Sequence, residues 1–435
     1  MILCSTVFVH SHMYSQDDES MTDARTPTAL PPAQRRRGAI VMLVITFLMW
    51  GGFFMVIPLV SIRYVEDLGW SAGAVGLVLA IRQLTQQGLT VFGGALADRF
   101  GAKELIVVGM LIRAISFSAM AVATTYPFLM VSAILAAVGG ALFDSPSSAA
   151  MVALIRPEER NRYFAVLGVV RGLGMSLGPL AGAALLRIDF AFVALAAGGC
   201  FFLASVMTFL LLPSVQVATE RAELLAGILM ALRDRRFMAF NVLLMGYWFM
   251  WVQLTISLPL AARALAGVAD AVSWLYALNA GTSVVLQYPV MRLAERWLRP
   301  LPLLMFGIMV MALGLGSVAF AGTIEALLAS VAVFSLGALL AAPGQQTVAA
   351  DLANPAALGS YFGVNALALA LGGGIGNYAG GALYGFGRDI GIPALPWLVC
   401  LAVGIGSAAG LAALDRRLVR RVELGGREWE VGSRD

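Results

Sequence analysis

The chain has 435 residues, of which 60% are hydrophobic and 12% charged, with a formal net charge of +4. A soluble domain carries about 25% charged residues, so the composition excludes an ordinary soluble enzyme. It predicts an all-α polytopic membrane protein, because apolar runs long enough to cross about 30 Å of hydrocarbon recur along nearly the whole length.

Residues 1–38 are expected to be a disordered tail ending in Arg35, Arg36 and Arg37, and either Met1 or Met21 could be the start. The opening run lacks a basic n-region and does not read as a signal peptide. Both histidines, His10 and His12, fall in this tail, which excludes a proton relay through a membrane histidine. Twelve spans follow, near 39–60, 72–95, 104–125, 128–150, 163–186, 190–212, 237–260, 272–294, 301–321, 325–348, 361–386 and 396–414. Arginine and lysine concentrate in alternate connections. The positive-inside rule therefore places both termini in the cytoplasm and accounts for the basic balance without a nucleic-acid partner.

A linker at 213–236 divides two six-helix bundles, 39–212 and 237–414, and a cytoplasmic tail follows over 415–435. Leu224, Leu225, Ile228, Leu229 and Leu232 recur in the linker at helical spacing, which predicts a short amphipathic helix on the inner membrane surface. The two bundles repeat one another at an offset of 197. LADR (96–99) aligns with LAER (293–296), and Gly140, Leu142 and Pro146 align with Gly337, Leu339 and Pro343. One residue of slip later, GLGMSLGPLAGAALL (172–186) aligns with ALGGGIGNYAGGALY (370–384). Paired six-span repeats are the architecture of secondary transporters that rock about a midplane site. No catalytic cluster is visible. Cys4, Cys200 and Cys400 have no metal spacing, and no phosphate-binding GxxxxGK[ST] loop occurs, so no enzyme activity, cofactor, metal or ATP is expected.

The run Gly94-x3-Asp98-Arg99-x-Gly101-x-Lys103 joins the second and third spans. It resembles the loop signature of the major facilitator superfamily. The surrounding IRQLTQQGLTVFGGALADRFGAKELIVVGMLIR, with PLVSIRYVEDLGW, GGALFDSPSSA, VSWLYAL and GSYFG, is similar to the MdtH-type multidrug-resistance (drug:proton antiporter) family. The resemblance covers roughly 40–420 and implies the major facilitator fold. It also implies that Asp98 faces the start of the eleventh span, here near Gly359–Tyr361, so Asp98 is expected to latch the outward-open state, and Arg99 or Lys103 to pair with Asp144. The second-half copy is eroded, because Met291, Leu298 and Pro300 stand where the glycines and lysine would be. In the fifth span, Gly174, Gly178, Pro179 and Gly182 resemble an antiporter signature, although its final glycine is Ala183 and its early glycine falls on Ala165. Gly372, Gly376 and Gly380 repeat this small-residue face in the eleventh span.

Ionisable residues inside spans are functional candidates by default. Here they are Arg82, Arg113, Asp144 and Arg171, all in the first half. Asp144, placed near the inner end of its span, is the candidate for proton coupling. Arg82 and Gln86 form an i,i+4 polar pair that must face protein or water. Candidate substrate-cavity residues are Gln86, Trp50, Phe54, Tyr247, Trp248, Trp251, Asn279 and Asn365, combining a deformable aromatic wall with amides. Trp70 and Trp397 read as interfacial anchors. Together these features predict a monomeric inner-membrane exporter of hydrophobic or amphipathic small molecules, exchanging them for protons by alternating access. The alternative is a transporter of one metabolite, such as a sugar or organic acid.

Overall fold

The computed structural model describes residues 31–156, 159–214, 221–268, 270–294, 299–354 and 357–432. The helices are α1 (Pro32–Ser61), α2 (Ala72–Phe100), α3 (Ala102–Ala119), α4 (Tyr126–Leu154), α5 (Arg160–Leu186), α6 (Phe190–Leu211) and α7 (Arg221–Arg233). They continue with α8 (Arg235–Trp251), α9 (Ser257–Ala266), α10 (Asp270–Ala294), α11 (Pro300–Ser317), α12 (Ile324–Leu352), α13 (Leu358–Asp389) and α14 (Leu395–Gly432). Nine stretches of the described residues are apolar and long enough to cross a membrane. The predicted spans over α2, α10 and α13 are helices of 29, 25 and 32 residues that fall outside those nine. Their polar and glycine-rich faces dilute the hydropathy that a sequence count relies on.

The termini differ from expectation where they are described. Helix α1 begins at Pro32, whose missing N–H suits a first helical turn, so Arg35–Arg37 lie on a helix. Helix α14 runs on to Gly432, past the expected end of its span. Trp397 is 4% exposed and belongs to the core, which rules out an interfacial anchor. Trp70 packs at a tilt against Tyr64 and Tyr126, with ring centroids 4.7 and 5.9 Å apart.

Packing repeats between the halves. The contacts α1–α5, α1–α6, α2–α4, α3–α4 and α3–α6 recur as α8–α13, α8–α14, α10–α12, α11–α12 and α11–α14. Two further contacts, α2–α13 and α5–α10, cross between halves and exchange under the same symmetry. Glycines set the register. A Cβ on Gly109 would meet the Gly139 carbonyl at 2.7 Å, and one on Gly307 would meet the Gly337 carbonyl at 2.9 Å. Gly178 and Gly376 abut the backbones of Gly51 and Phe249 in the same way. These pairs share an offset of 198, so Gly337 is the structural partner of Gly139, and the sequence alignment to Gly140 slips by one residue.

The predicted seventh span is broken. Helix α8 ends at Trp251, a 3₁₀ turn covers Val252–Leu254, and α9 starts at Ser257. Side chains repair the break. The Gln253 amide donates to the carbonyls of Phe249 and Gly376 (2.8 and 3.1 Å), Ser257 donates to Gln253 Oε1 (2.6 Å), and Thr255 donates to Asn377 Oδ1 (3.0 Å). Irregular backbone at membrane depth needs such partners.

Candidate functional site

Arg35–Arg37, the α2–α3 turn, α7 and the end of α14 share one end of the bundle, called here the basic end. At the opposite end the halves close on each other. A Cβ on Gly76 would meet the Asn377 carbonyl at 2.5 Å, and one on Gly73 would meet Ala382 Cα at 3.3 Å. Ser273 Oγ donates to the Pro179 carbonyl (3.2 Å), and Phe54 packs edge-on against Tyr276 at 5.8 Å. Arg187 pairs with Asp270, and Arg388 with Glu66 at 3.4 Å. Hydrogen bonding to Asp270 holds the exposed Arg187 guanidinium above its ordinary range. Toward the basic end, past the contact of Leu84 with Gly374, the same helices separate: nothing lies within 4 Å of a Cβ on Gly88, and Val166, Val169 and Val285 are exposed.

The ionisable residues converge in the first half. Gln86 is the hub. Its Oε1 accepts from Arg82 (3.0 Å) and Arg113 (3.4 Å), and its Nε2 donates to Asp144 Oδ2 (2.8 Å). Arg82 also donates to Gln83 Oε1 (3.1 Å), and Arg113 to the Ala136 carbonyl (3.3 Å). Both arginines lie over the Phe53 ring, at 5.0 and 5.5 Å, which supplies a desolvated cation–π contact to each. Arg82 Nε and Arg113 Nη1 are buried without a hydrogen-bond partner. Gly140 makes the space, because a Cβ there would meet Arg113 Nη2 at 2.5 Å and Gln86 Cδ at 2.7 Å. Arg171 on α5 is exposed and lies over Trp50 at 5.0 Å.

Two placements correct the sequence reading. Asp144 stands ten residues before the end of α4, about 15 Å up the helix, and its partner is Gln86. Lys103 sits over Phe209 of α6 at 5.9 Å. Gly101 takes φ +88°, the left-handed conformation that turns α2 directly into α3. The side chains of Asp98 and Arg99, and the surroundings of Gly94, lie outside the described residues. The start of α13 receives α7: a Cβ on Gly227 would meet Ser360 Cβ at 2.9 Å, and Tyr361 donates to Asp234 Oδ2 (3.2 Å).

Gly174, Gly178 and Gly182 form the expected smooth face, on which the backbone of α1 rides. Among the aromatic candidates, Trp50 stacks on Phe54 at 5.8 Å, and Tyr247, Trp248 and Trp251 form an edge-to-face series. Phe54 and Tyr247 are both 2% exposed, so they pack inside and do not line an open wall. Asn279 Oδ1 accepts from Ser335 (2.9 Å), and Asn365 Oδ1 is buried without a partner. Phe53, Gly140 and Tyr276 complete the constellation without having been singled out for it. Phe53 is one aromatic in a run of them, and nothing in the sequence says which ring the arginines meet.

A family model described as Major Facilitator Superfamily matches residues 42–269 and 255–429. The chain is 42% identical over 371 residues to the multidrug resistance protein MdtH of Edwardsiella ictaluri (strain 93-146), covering 85% of this chain and 92% of that protein. It is 41% identical over 383 residues to MdtH of Yersinia enterocolitica serotype O:8, covering 88% and 96%. A POT family transporter solved with a thioalcohol-conjugated peptide superposes with a TM-score of 0.74 at 14% identity, covering 88% of this chain and 96% of that one. The nucleoside transporter NupG does so with a TM-score of 0.71 at 14% identity, covering 88% and 99%. At such identities these two likenesses speak for the fold alone.

Proposed function

This chain belongs to the major facilitator superfamily, in its MdtH-type multidrug-resistance branch, and on that footing we propose that it exports amphipathic compounds in exchange for protons. The observation that carries the reading is the Asp144–Gln86–Arg82/Arg113 network, in which, among the described residues, one amide joins a half-buried carboxylate to two buried arginines. With Asp144 ionised, the Gln86 amide donates to it and turns its carbonyl to the arginines. A neutral Asp144 becomes a donor and competes for that carbonyl. The arginines then lose this shared acceptor, keeping Gln83 and the Ala136 carbonyl, and their remaining donors turn toward other groups. A substrate donor on the Asp144 carboxylate excludes the proton, which is the condition for exchange.

The positive-inside rule orients the basic end to the cytoplasm of an inner membrane, with both termini inside. The arrangement described is then inward-facing. Asp98, with Gly94, Arg99, Gly101 and Lys103, acts in the opposite state by gripping the start of α13 when the basic end closes. The chain works as a monomer, since each of its halves supplies the other's partner surface.

A second reading rests on the charge balance. Three arginines face one carboxylate, an excess that favours substrates carrying an acid group, as the specific-metabolite alternative requires. Proteoliposomes with an imposed pH gradient separate the two. Gradient-driven movement of several unrelated amphipaths, lost in Asp144→Asn, supports exchange at Asp144. Saturable transport of one organic acid alone, unchanged in Asp144→Asn, would overturn it.

A further inference from the structure

A cavity of about 470 Å3 opens at the basic end, between the start of α1 and the connection from α4 to α5. Its charged lining is Arg35, Arg36 and Arg156 against a single acid, Glu159. Leu43, Leu154 and Val166 line the side that continues along the helices. None of the three arginines takes part in the ion pairs of the described residues, and Arg35 Nε is buried without a partner. Arg36 and Arg156 are exposed and Arg35 is half-buried, so Arg35 Nε is the one buried donor of this cluster that lacks the acceptor such a group normally finds.

The internal symmetry shows what such a place looks like when it is covered. At the offset of 198, Arg156 corresponds to Asn354, Tyr163 to Tyr361 and Arg36 to Asp234. In the second half that position is filled by the chain itself. Helix α7 packs Gly227 on Ser360, Asn354 Nδ2 contacts Met230 Sδ at 3.4 Å, and Tyr361 bonds Asp234. In the first half, Tyr163 ties α5 to the Ala39 carbonyl (3.1 Å), and the corresponding space is the arginine-lined cavity.

We propose that this cavity binds an anionic phospholipid, with its phosphodiester held by Arg35, Arg36 and Arg156 and an acyl chain along Leu43, Leu154 and Val166. Guanidinium forks match phosphate oxygens, and basic pockets between spans suit anionic head groups. The adjoining apolar wall selects a lipid over a free phosphate, which would leave that wall wet. The lipid does for the first half what α7 does for the second: it covers the joint between the opening helix and the connection that precedes the glycine-faced helix.

The test is lipid retention by the delipidated full chain in detergent, followed by native mass spectrometry. Dioleoyl-phosphatidylglycerol, dioleoyl-phosphatidylcholine and inorganic phosphate are titrated separately. Phosphatidylglycerol should bind about tenfold more tightly than phosphatidylcholine. Arg35→Gln with Arg156→Gln should abolish that preference, while Arg233→Gln with Arg416→Gln, which removes the same charge at the same end, should keep it. Equal loss in both pairs means bulk charge and overturns the site. Phosphate binding without lipid preference assigns the cluster to a soluble ester. Lipid binding that appears only after deletion of residues 1–30 assigns the cavity to the N-terminal segment. Should the arginine variants aggregate, a photoactivatable phosphatidylglycerol on the unmodified chain decides the matter: adducts at Leu43, Leu154 or Val166 support the site, and adducts confined elsewhere refute it.

Discussion

Gln86 is the residue on which the polar network depends, because one amide satisfies a carboxylate and two arginines at once. Removing it takes one hydrogen bond from each of three charged groups, leaving Arg82 only Gln83 and Arg113 only the Ala136 carbonyl. An unsatisfied buried polar group costs about 1–3 kcal/mol, and more when charged. Gln86→Leu is therefore expected to lower thermal stability in detergent by at least about 2 kcal/mol, and to abolish transport even where the fold survives. Asp144→Asn keeps an acceptor for Gln86 and should leave stability nearly unchanged, while substrate counterflow continues and pH-gradient-driven transport is lost. Counterflow lost together with gradient-driven transport would refute proton coupling at this residue. The Arg82–Gln86 pair was legible in sequence, since i,i+4 spacing on one helix fixes it. The Asp144 partner was not, because Gln86 and Asp144 are 58 positions apart, with a whole antiparallel helix between them whose rotation no local pattern reports.

Among the elements, α5 and α13 show how small residues specify a register. The i,i+4 face of Gly174, Gly178 and Gly182 could be read from spacing, and the structure lays α1 against it. Overpacking a close seam costs about 1–3 kcal/mol, so Gly178→Val, whose Cβ would meet the Gly51 carbonyl at 2.5 Å, should lower the melting temperature and block transport. Gly172→Val, where nothing lies within 4 Å, is the matched control and should do neither. A normal Gly178→Val would mean that α1 and α5 separate freely. The break between α8 and α9 was not legible. Val252 to Ile256 contains neither glycine nor proline, and two of the acceptors that Gln253 and Thr255 use to compensate the break, Gly376 O and Asn377 Oδ1, come from α13, more than 120 residues away. The one-residue slip in the repeat has a related cause: the glycines at 139 and 140 are adjacent, and only their contacts show which one meets the neighbouring helix.

For the whole molecule, two ion pairs span the halves at the end away from the arginine-rich connections. Arg187–Asp270 and Arg388–Glu66 join residues 83 and 322 apart in sequence, which puts both beyond any sequence pattern. They are exposed, so salt screens them. The double variant Glu66→Gln, Asp270→Asn should shift the population toward opening at that end, seen as increased labelling of a cysteine introduced at Ser273, and added salt should do the same to the unmodified chain. Alkaline pH should not. A guanidinium whose pKa is raised in the closed state contributes closure below its ordinary range, and that contribution fades only as pH climbs through the raised value, beyond physiological reach. Opening at pH 9 would contradict this assignment.

The closed end is built from Gly73, Gly76, Gly381 and Ala382 meeting backbone atoms across the seam. Glycine and alanine have no side-chain rotamers to freeze. Joining these surfaces therefore orders almost nothing, and parting them liberates almost nothing. Conformational entropy is thereby nearly removed from the switching equilibrium at this seam, which leaves the balance between states to the few polar groups that ligand, proton or salt can reach.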